Sequence, residues 1–353
     1  MSRHLHNTPR SRQRGMSLIE LMVAMTIGII LSLGMFEIYS GTRQSYQVQE
    51  GLARLQENAR FAIDVMTRDI RMAGYTGCYT GDMSTVENIL NNQTNYGWDL
   101  TNMLQGYNAL TSSWSPVLNA AIASDVLAGT DVIEIRKMSS DGINLVPPFS
   151  DSAQLFVDPA EADFIEGQIL MVTDCVNASI FQVSNIQVTG TGENIVHSQA
   201  GTITPGNSAS LLANNYGADA TVATLDTSVY YIATNADGNP SLFRQALALD
   251  TATNVIALQP QELIEGVENL QMLYGEDTNG DGDADRYLPA AGAVGMDMDS
   301  VVSVRIALLL HTVDQISLAA DTNQYTLLDV DYTPTSDRRL RRTFTTTIRI
   351  RNR

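Results

Sequence analysis

The stretch Arg12-Gln13-Arg14-Gly15-Met16-Ser17-Leu18-Ile19-Glu20-Leu21, running on without a charge to Phe36, decides how this chain is built. A basic leader precedes an apolar run long enough, at 1.5 Å per residue, to cross roughly 30 Å of hydrocarbon as a helix. One carboxylate, Glu20, lies inside that run. A charge in a membrane helix costs about 2.5–3.5 kcal/mol, so Glu20 needs a partner or a purpose. A secretory signal carries its small-residue cleavage site after the apolar core, whereas here the glycine precedes it. The leader arginines keep the N-terminus on the cytoplasmic side, which puts everything after Phe36 in the periplasm.

This arrangement resembles the prepilin signal of type IV pilins and type II secretion pseudopilins. The resemblance implies that a membrane peptidase cuts between Gly15 and Met16 and methylates the new amino terminus. Glu20 then becomes the fifth residue of the mature chain, and Met16 stands where the family usually has Phe. Helix packing can bring the Met16 ammonium near a carboxylate on an adjacent subunit. A buried pair of that kind sets axial register more reliably than it adds stability.

Outward from this segment, the chain has 353 residues, 44% of them hydrophobic, enough for one anchor helix and one sizeable globular domain. Net charge is −18, and removing the four leader arginines leaves 17 basic against 39 acidic residues. Such a body repels nucleic acid and anionic membrane surfaces, which makes DNA a poor general partner. Cys78 and Cys175 are the only cysteines. In an oxidising compartment they are expected to form a disulfide, two buried free thiols being the alternative.

The helix continues past the apolar run. Leu52, Leu55, Ala59, Ala62, Met66 and Ile70 recur at three- and four-residue spacing, and Asp64 with Arg68 sits one turn apart on the polar side. One helix is expected from about Ser17 to Ala73, capped by Gly74. The segment from Tyr75 to Gly129 reads as a long, surface-exposed connection. Strands are expected at Asp131–Met138, Gln168–Val172, Ile180–Val188 and Val229–Ala233. A turn at Ala236-Asp237-Gly238-Asn239 then returns through Ser241–Arg244. Gly201–Thr224 reads as a flexible insertion. Val301–Leu310 suits a central strand and Thr343–Ile350 a closing one. The fold class is α+β: a long N-terminal helix, membrane-spanning in its first half, packed on an antiparallel β-sheet domain of type IV pilin-like form. The division is a leader over 1–15, a transmembrane or fibre-core helix over 16–37, its amphipathic continuation over 38–74, and a β-rich periplasmic domain over 75–353.

The loop Asp277-Thr278-Asn279-Gly280-Asp281-Gly282-Asp283-Ala284-Asp285 matches the first nine positions of a calcium loop. Asp277, Asn279, Asp281 and Asp285 supply side-chain oxygens and Asp283 a carbonyl. The twelfth position, usually Glu, is Leu288, so Asp297, Asp299 or water would have to complete a Ca²⁺ shell. A solvated acidic turn is the alternative. Arg338, Arg339, Arg341, Arg342, Arg349, Arg351 and Arg353 crowd the C-terminus. Arg349 and Arg351 share one strand face, either as a charged guard on an edge strand or as a docking surface for an acidic subunit or DNA. Signatures of catalysis are lacking: there is no Gly-x-Ser-x-Gly, no P-loop, and Lys137 is the sole lysine.

Three stretches narrow the family. Tyr75-Thr76-Gly77-Cys78, Val267-Glu268-Asn269-Leu270 leading to Tyr274-Gly275-Glu276-Asp277, and Arg341-Arg342-Thr343-Phe344-Thr345-Thr346-Thr347-Ile348-Arg349-Ile350-Arg351-Asn352 look like those of PilW-type minor pilins. That family implies a subunit that works with other minor pilins and the major pilin to prime fibre assembly, presenting a tip adhesin. The prepilin peptidase and the inner-membrane assembly platform are further implied partners. The alternatives are a J-type minor pseudopilin of type II secretion, or a pilus-borne adhesin or DNA-uptake subunit.

Overall fold

The computed structural model describes residues 15–149, 152–160, 163–189, 192–290 and 296–352; the leader before Gly15 and Arg353 lie outside them. The chain forms two compact units, Met1–Gly51 and Leu52–Arg353. Helix α1, Leu18–Arg71, runs through both. In the first unit its apolar side chains are exposed, among them Leu18, Ile19, Ile30, Leu33 and Phe36. The hydroxyls of Thr26 and Ser32 bond back to carbonyls one turn earlier, so neither is left unsatisfied among apolar neighbours.

From Leu52 onward α1 belongs to the globular unit. Leu55, Ala59, Ala62, Met66 and Ile70 form one buried face, the stripe that the spacing predicts. Gly74, at φ +74°, ends the helix region as a left-handed cap, and its amide donates to the Arg136 carbonyl. The Arg351 amide donates to the Arg71 carbonyl, satisfying one of the orphan acceptors at the helix end.

The principal strands are β1 (Leu104–Ala109), β2 (Val132–Met138), β3 (Ile169–Thr173), β4 (Ala178–Gln182), β5 (Thr221–Thr234), β6 (Pro240–Asp250), β7 (Val255–Glu265), β8 (Val267–Glu276), β9 (Arg286–Leu288), β10 (Val301–His311) and β11 (Arg341–Arg349). β5 is the seam of the larger sheet: it pairs antiparallel with β3 at its start, then with β2, and with β6 towards its end. β7 extends that sheet beyond β6, and β4 lies beyond β3. A second sheet has the order β9-β8-β10-β11, all antiparallel. The buried face of α1 packs with residues of both sheets, including Ile133, Tyr230, Leu242, Leu270, Tyr274, Ile306 and Ile348. The α+β architecture expected from the sequence is the one observed.

Asp131 fastens the two sheets together. Its carboxylate accepts from the Ala109 amide (2.7 Å) and the Met272 amide (2.8 Å), joining β1 to β8. Gly106 on β1 leaves room for the Tyr274 ring, into which a Cβ there would run.

Three expectations need correction. The segment 75–129 is no surface connection: Tyr79, Ile89, Leu90, Trp98, Leu100 and Tyr107 are buried in it. Its apolar residues are spaced irregularly between Asn, Thr and Gly turns, so their burial leaves no period to read. Ile180–Val188 is not one strand. It breaks after Gln182, and Asn185–Thr189 pairs in a separate three-stranded sheet with Gly192–Val196. The end of Gly201–Thr224 is no flexible insertion either, because Tyr216, Ala220 and Val222 are buried and β5 starts at Thr221. Its small and polar residues hid a strand whose stability comes from two flanking partners.

Candidate assembly site

At the start of α1, Ser17 and Glu20 form a reciprocal pair. The Ser17 amide donates to Glu20 Oε2 (3.0 Å) and the Glu20 amide donates to Ser17 Oγ (3.2 Å). This is a capping box, readable as Ser-x-x-Glu at the head of an apolar run, and it gives Glu20 a role within its own chain. The carboxylate is thereby held beside the amide that follows Met16. Gly15 and Met16 precede the helix, and Met16 is exposed.

At the other end of α1, Asp69 faces inward and is 6% exposed. Its oxygens take Lys137 Nζ at 2.7 Å and the Tyr230 hydroxyl at 2.5 Å, with Arg244 Nε at 3.6 Å. Lys137 also reaches Asp226 at 3.5 Å. Burial pushes the Asp69 carboxyl up, but the bonds from Lys137 and Tyr230 and the nearby cations outweigh it and hold it below the ordinary range. The sole lysine of the chain therefore locks the helix to the sheet. Lys137 carries no sequence signal of that role, since its partner lies 68 positions away.

Cys78 and Cys175 form the expected disulfide, with Cα atoms 4.8 Å apart across a sequence separation of 97. Cys175 stands in the tight turn between β3 and β4 at φ +72°, and the Asp174 carboxylate accepts from the Val176 and Asn177 amides. The bond thus ties the chain just past α1 to a hairpin of the larger sheet.

The acidic loop closes on itself. Asp277 accepts from the amides of Asn279, Gly280 and Gly282. Asn279 accepts from the Asp281 amide and Asp281 from the Asp283 amide. Asp285 accepts from the Thr278 amide and hydroxyl and from the Asn279 carboxamide. The Gly282 amide leads the bonds that depress the Asp277 carboxyl, and the Thr278 hydroxyl those that depress Asp285. Among the described residues no three His, Cys, Asp or Glu side chains gather as a metal cluster.

The terminal arginines divide. Arg349 donates to the Gly282 carbonyl (2.9 Å) and lies 3.5 Å from Asp283, so it leans on the acidic loop. Arg341 is buried, bonded to Glu268 (2.6 Å) and Asp337 (2.7 Å), with Asp321 at 3.4 Å. Arg339 donates to Asn239 (2.8 Å). Arg342 and Arg351 are exposed. The sequence reading gave a role only to Arg349 and Arg351; that Arg341 is a core cation follows from Glu268 of β8 reaching it past β10.

Residues 229–352 match the family model described as Type IV Pilus-assembly protein W, and residues 10–36 match the Prokaryotic N-terminal methylation motif. Over these residues the chain is similar to PilW-type pilus assembly proteins, a non-enzymatic family, and its N-terminus is prepilin-like. No curated protein and no solved structure matches it. The PilW match begins inside β5 and spans β6 to β11, the second sheet included, while the methylation motif ends where the uncharged run ends.

Proposed function

We propose that this PilW-type protein is a minor pilin of a priming or tip complex, acting by binding other minor pilins and the major pilin. The observation that carries the reading is α1 itself. It is one unbroken helix, apolar and exposed in its first part and buried in the core of the globular unit in its last. Such an element leaves a bilayer only if other helices cover its apolar part, which is what a fibre core supplies. In this reading the prepilin peptidase cuts between Gly15 and Met16 and methylates Met16. The protein waits in the inner membrane with its C-terminus periplasmic, engages the assembly platform, and passes into the pilus. Glu20 sets register against a neighbouring amino terminus, and the globular unit presents a tip adhesin.

The test is a deletion strain complemented with wild-type, Gly15→Ala or Glu20→Ala copies, scored for surface pili and for exoprotein secretion. Pili restored only by the wild-type copy, with secretion intact throughout, is the expected result. Lost secretion with intact pili would overturn it in favour of a pseudopilin.

For the acidic loop we propose a calcium ion held by Asp277, Asn279, Asp281 and Asp285 with the Asp283 carbonyl. Support comes from the oxygen spacing and from glycine at the sixth position. Calcium titration of the full chain should raise its melting temperature, and the rise should vanish in Asp281→Ala. No change on adding millimolar-range calcium would remove the ion from the account.

A further inference from the structure

The sheet edges of the globular unit are not alike. Glu87–Asn88, Trp114–Ser115 and Arg286–Leu288 end their sheets after two or three residues. β7 is long, but Pro260 interrupts its ladder and its pairing with β6 shifts between Leu242 and Phe243. Short edges, proline, bulges and charged side chains are the devices that keep an edge from pairing with another chain. β11 has none of the first three, and its charges, Arg341, Arg342 and Arg349, stand at its two ends. Its nine residues contain neither Pro nor Lys, pair with β10 in unbroken register, and carry no charge from Thr343 to Ile348. Among the described residues, no strand and no backbone hydrogen bond occupies its other side.

Beside that edge lies a groove of about 450 Å³, walled by Gln56, Arg60, Ile63, Asp64 and Thr67 of α1 and by Phe344 of β11. Ile63 and Phe344 are half-buried, packed against the core cluster but not covered by it. Arg60 and Arg342 are exposed and have no ion-pair partner among the described residues, while Asp64 is taken by Arg68 at 3.4 Å. On a chain of net charge −18 this is a local reversal of sign. The open ladder and the apolar slot meet here, with Arg60 in the wall of the slot and Arg342 two residues from Phe344 on β11.

We propose that β11 is a docking edge that accepts one further strand, an acidic extended segment of a neighbouring subunit. Its backbone continues the sheet, an apolar side chain enters between Ile63 and Phe344, and carboxylates meet Arg60 and Arg342. Main-chain bonding gives the affinity, while the slot and the charges choose the partner. The source of the strand rests on the assembly reading above; the experiment below reads the edge alone, so its failure would leave that reading standing.

The test uses the full chain in detergent and three blocked nine-residue peptides: alternating valine and glutamate, the same with lysine for glutamate, and the first with a central proline. Hydrogen exchange is followed by mass spectrometry over residues 341–350. The valine–glutamate peptide should slow exchange in β11 tenfold or more and the other two should not. The double variant Arg60→Glu/Arg342→Glu, with its melting temperature unchanged, should bind that peptide at least tenfold more weakly. Unchanged exchange in β11 would overturn the proposal, and so would equal protection by the lysine peptide. Protection already present without peptide, growing with protein concentration, would overturn it in favour of a second copy of this chain on the edge.

Discussion

Asp69 shows most directly how one side chain commits the helix to its domain. Replacing it with alanine leaves Lys137 and Arg244 only Asp226 as a carboxylate partner, which should cost about 1–3 kcal/mol in urea unfolding of the full chain. A loss under about 1 kcal/mol would mean that the lock is idle. Because the Asp69 carboxyl is held below its ordinary range when folded, its contribution is complete above about pH 4 and is lost as pH falls through the folded value. Asp131 works with the opposite sign. Burial pushes its carboxyl up to about 7, against the amides of Ala109 and Met272 that favour the charged form. The folded state then binds a proton more readily than the unfolded one, so stability should fall as pH rises from about 4 through 7. Unfolding at pH 5 and pH 8 should differ by about 1–3 kcal/mol in favour of pH 5. Asp131→Asn should reduce the difference, leaving the share of Glu134, whose carboxyl burial also pushes up to about 7, and a flat wild-type profile would refute the assignment. Glu20 allows a cleaner separation. Glutamine can keep the capping box with Ser17 but removes the charge, whereas alanine removes both. If charge sets register in the fibre, Glu20→Gln should lose pili as fully as Glu20→Ala. Normal piliation by Glu20→Gln would leave only the cap as its role.

The elements differ in how far they could be read ahead. α1 was legible nearly to its ends, because a single 3.6-residue period runs from Leu52 to Ile70 and needs no distant partner to be seen. β10 was legible as a central strand for a similar reason, being apolar almost throughout and buried on both faces. The segment 75–129 was not, since Trp98 and Leu100 reach the core through turns rather than through a repeating pattern. The disulfide does part of that work. Opening the Cys78–Cys175 loop of 97 positions with Cys78→Ser/Cys175→Ser should lower stability by about 2–5 kcal/mol. Hydrogen exchange should rise first in 75–109 and in the β3–β4 hairpin. A uniform rise across the globular unit would instead mean that the bond supports the whole fold rather than this corner.

At the scale of the whole molecule, the acidic balance and the arginine-rich terminus are parts of one arrangement. Glu268, Asp337 and Asp321 surround Arg341, and Arg349 rests on the acidic loop, so much of the terminal positive charge is already answered within the chain. A full chain of this kind should not be retained on duplex DNA at about 0.15 M salt. Retention that disappears in Arg342→Ala/Arg351→Ala would revive a DNA-uptake role.

Arg10 to Phe36 determined by itself that the chain has a prepilin-like start and a helix of membrane length, because basic leader, glycine and apolar run are contiguous and their chemistry is local. The stripe on α1 likewise fixed which helix face is buried. Only the tertiary structure decided what that face meets and what holds it there. Lys137, Tyr230 and Arg244 converge on Asp69 from three strands, Glu268 meets Arg341 across β8 and β11, and β11 ends its sheet with an open edge. Each depends on strand order and register, which arise from packing between distant segments and leave no mark at any one position in the chain.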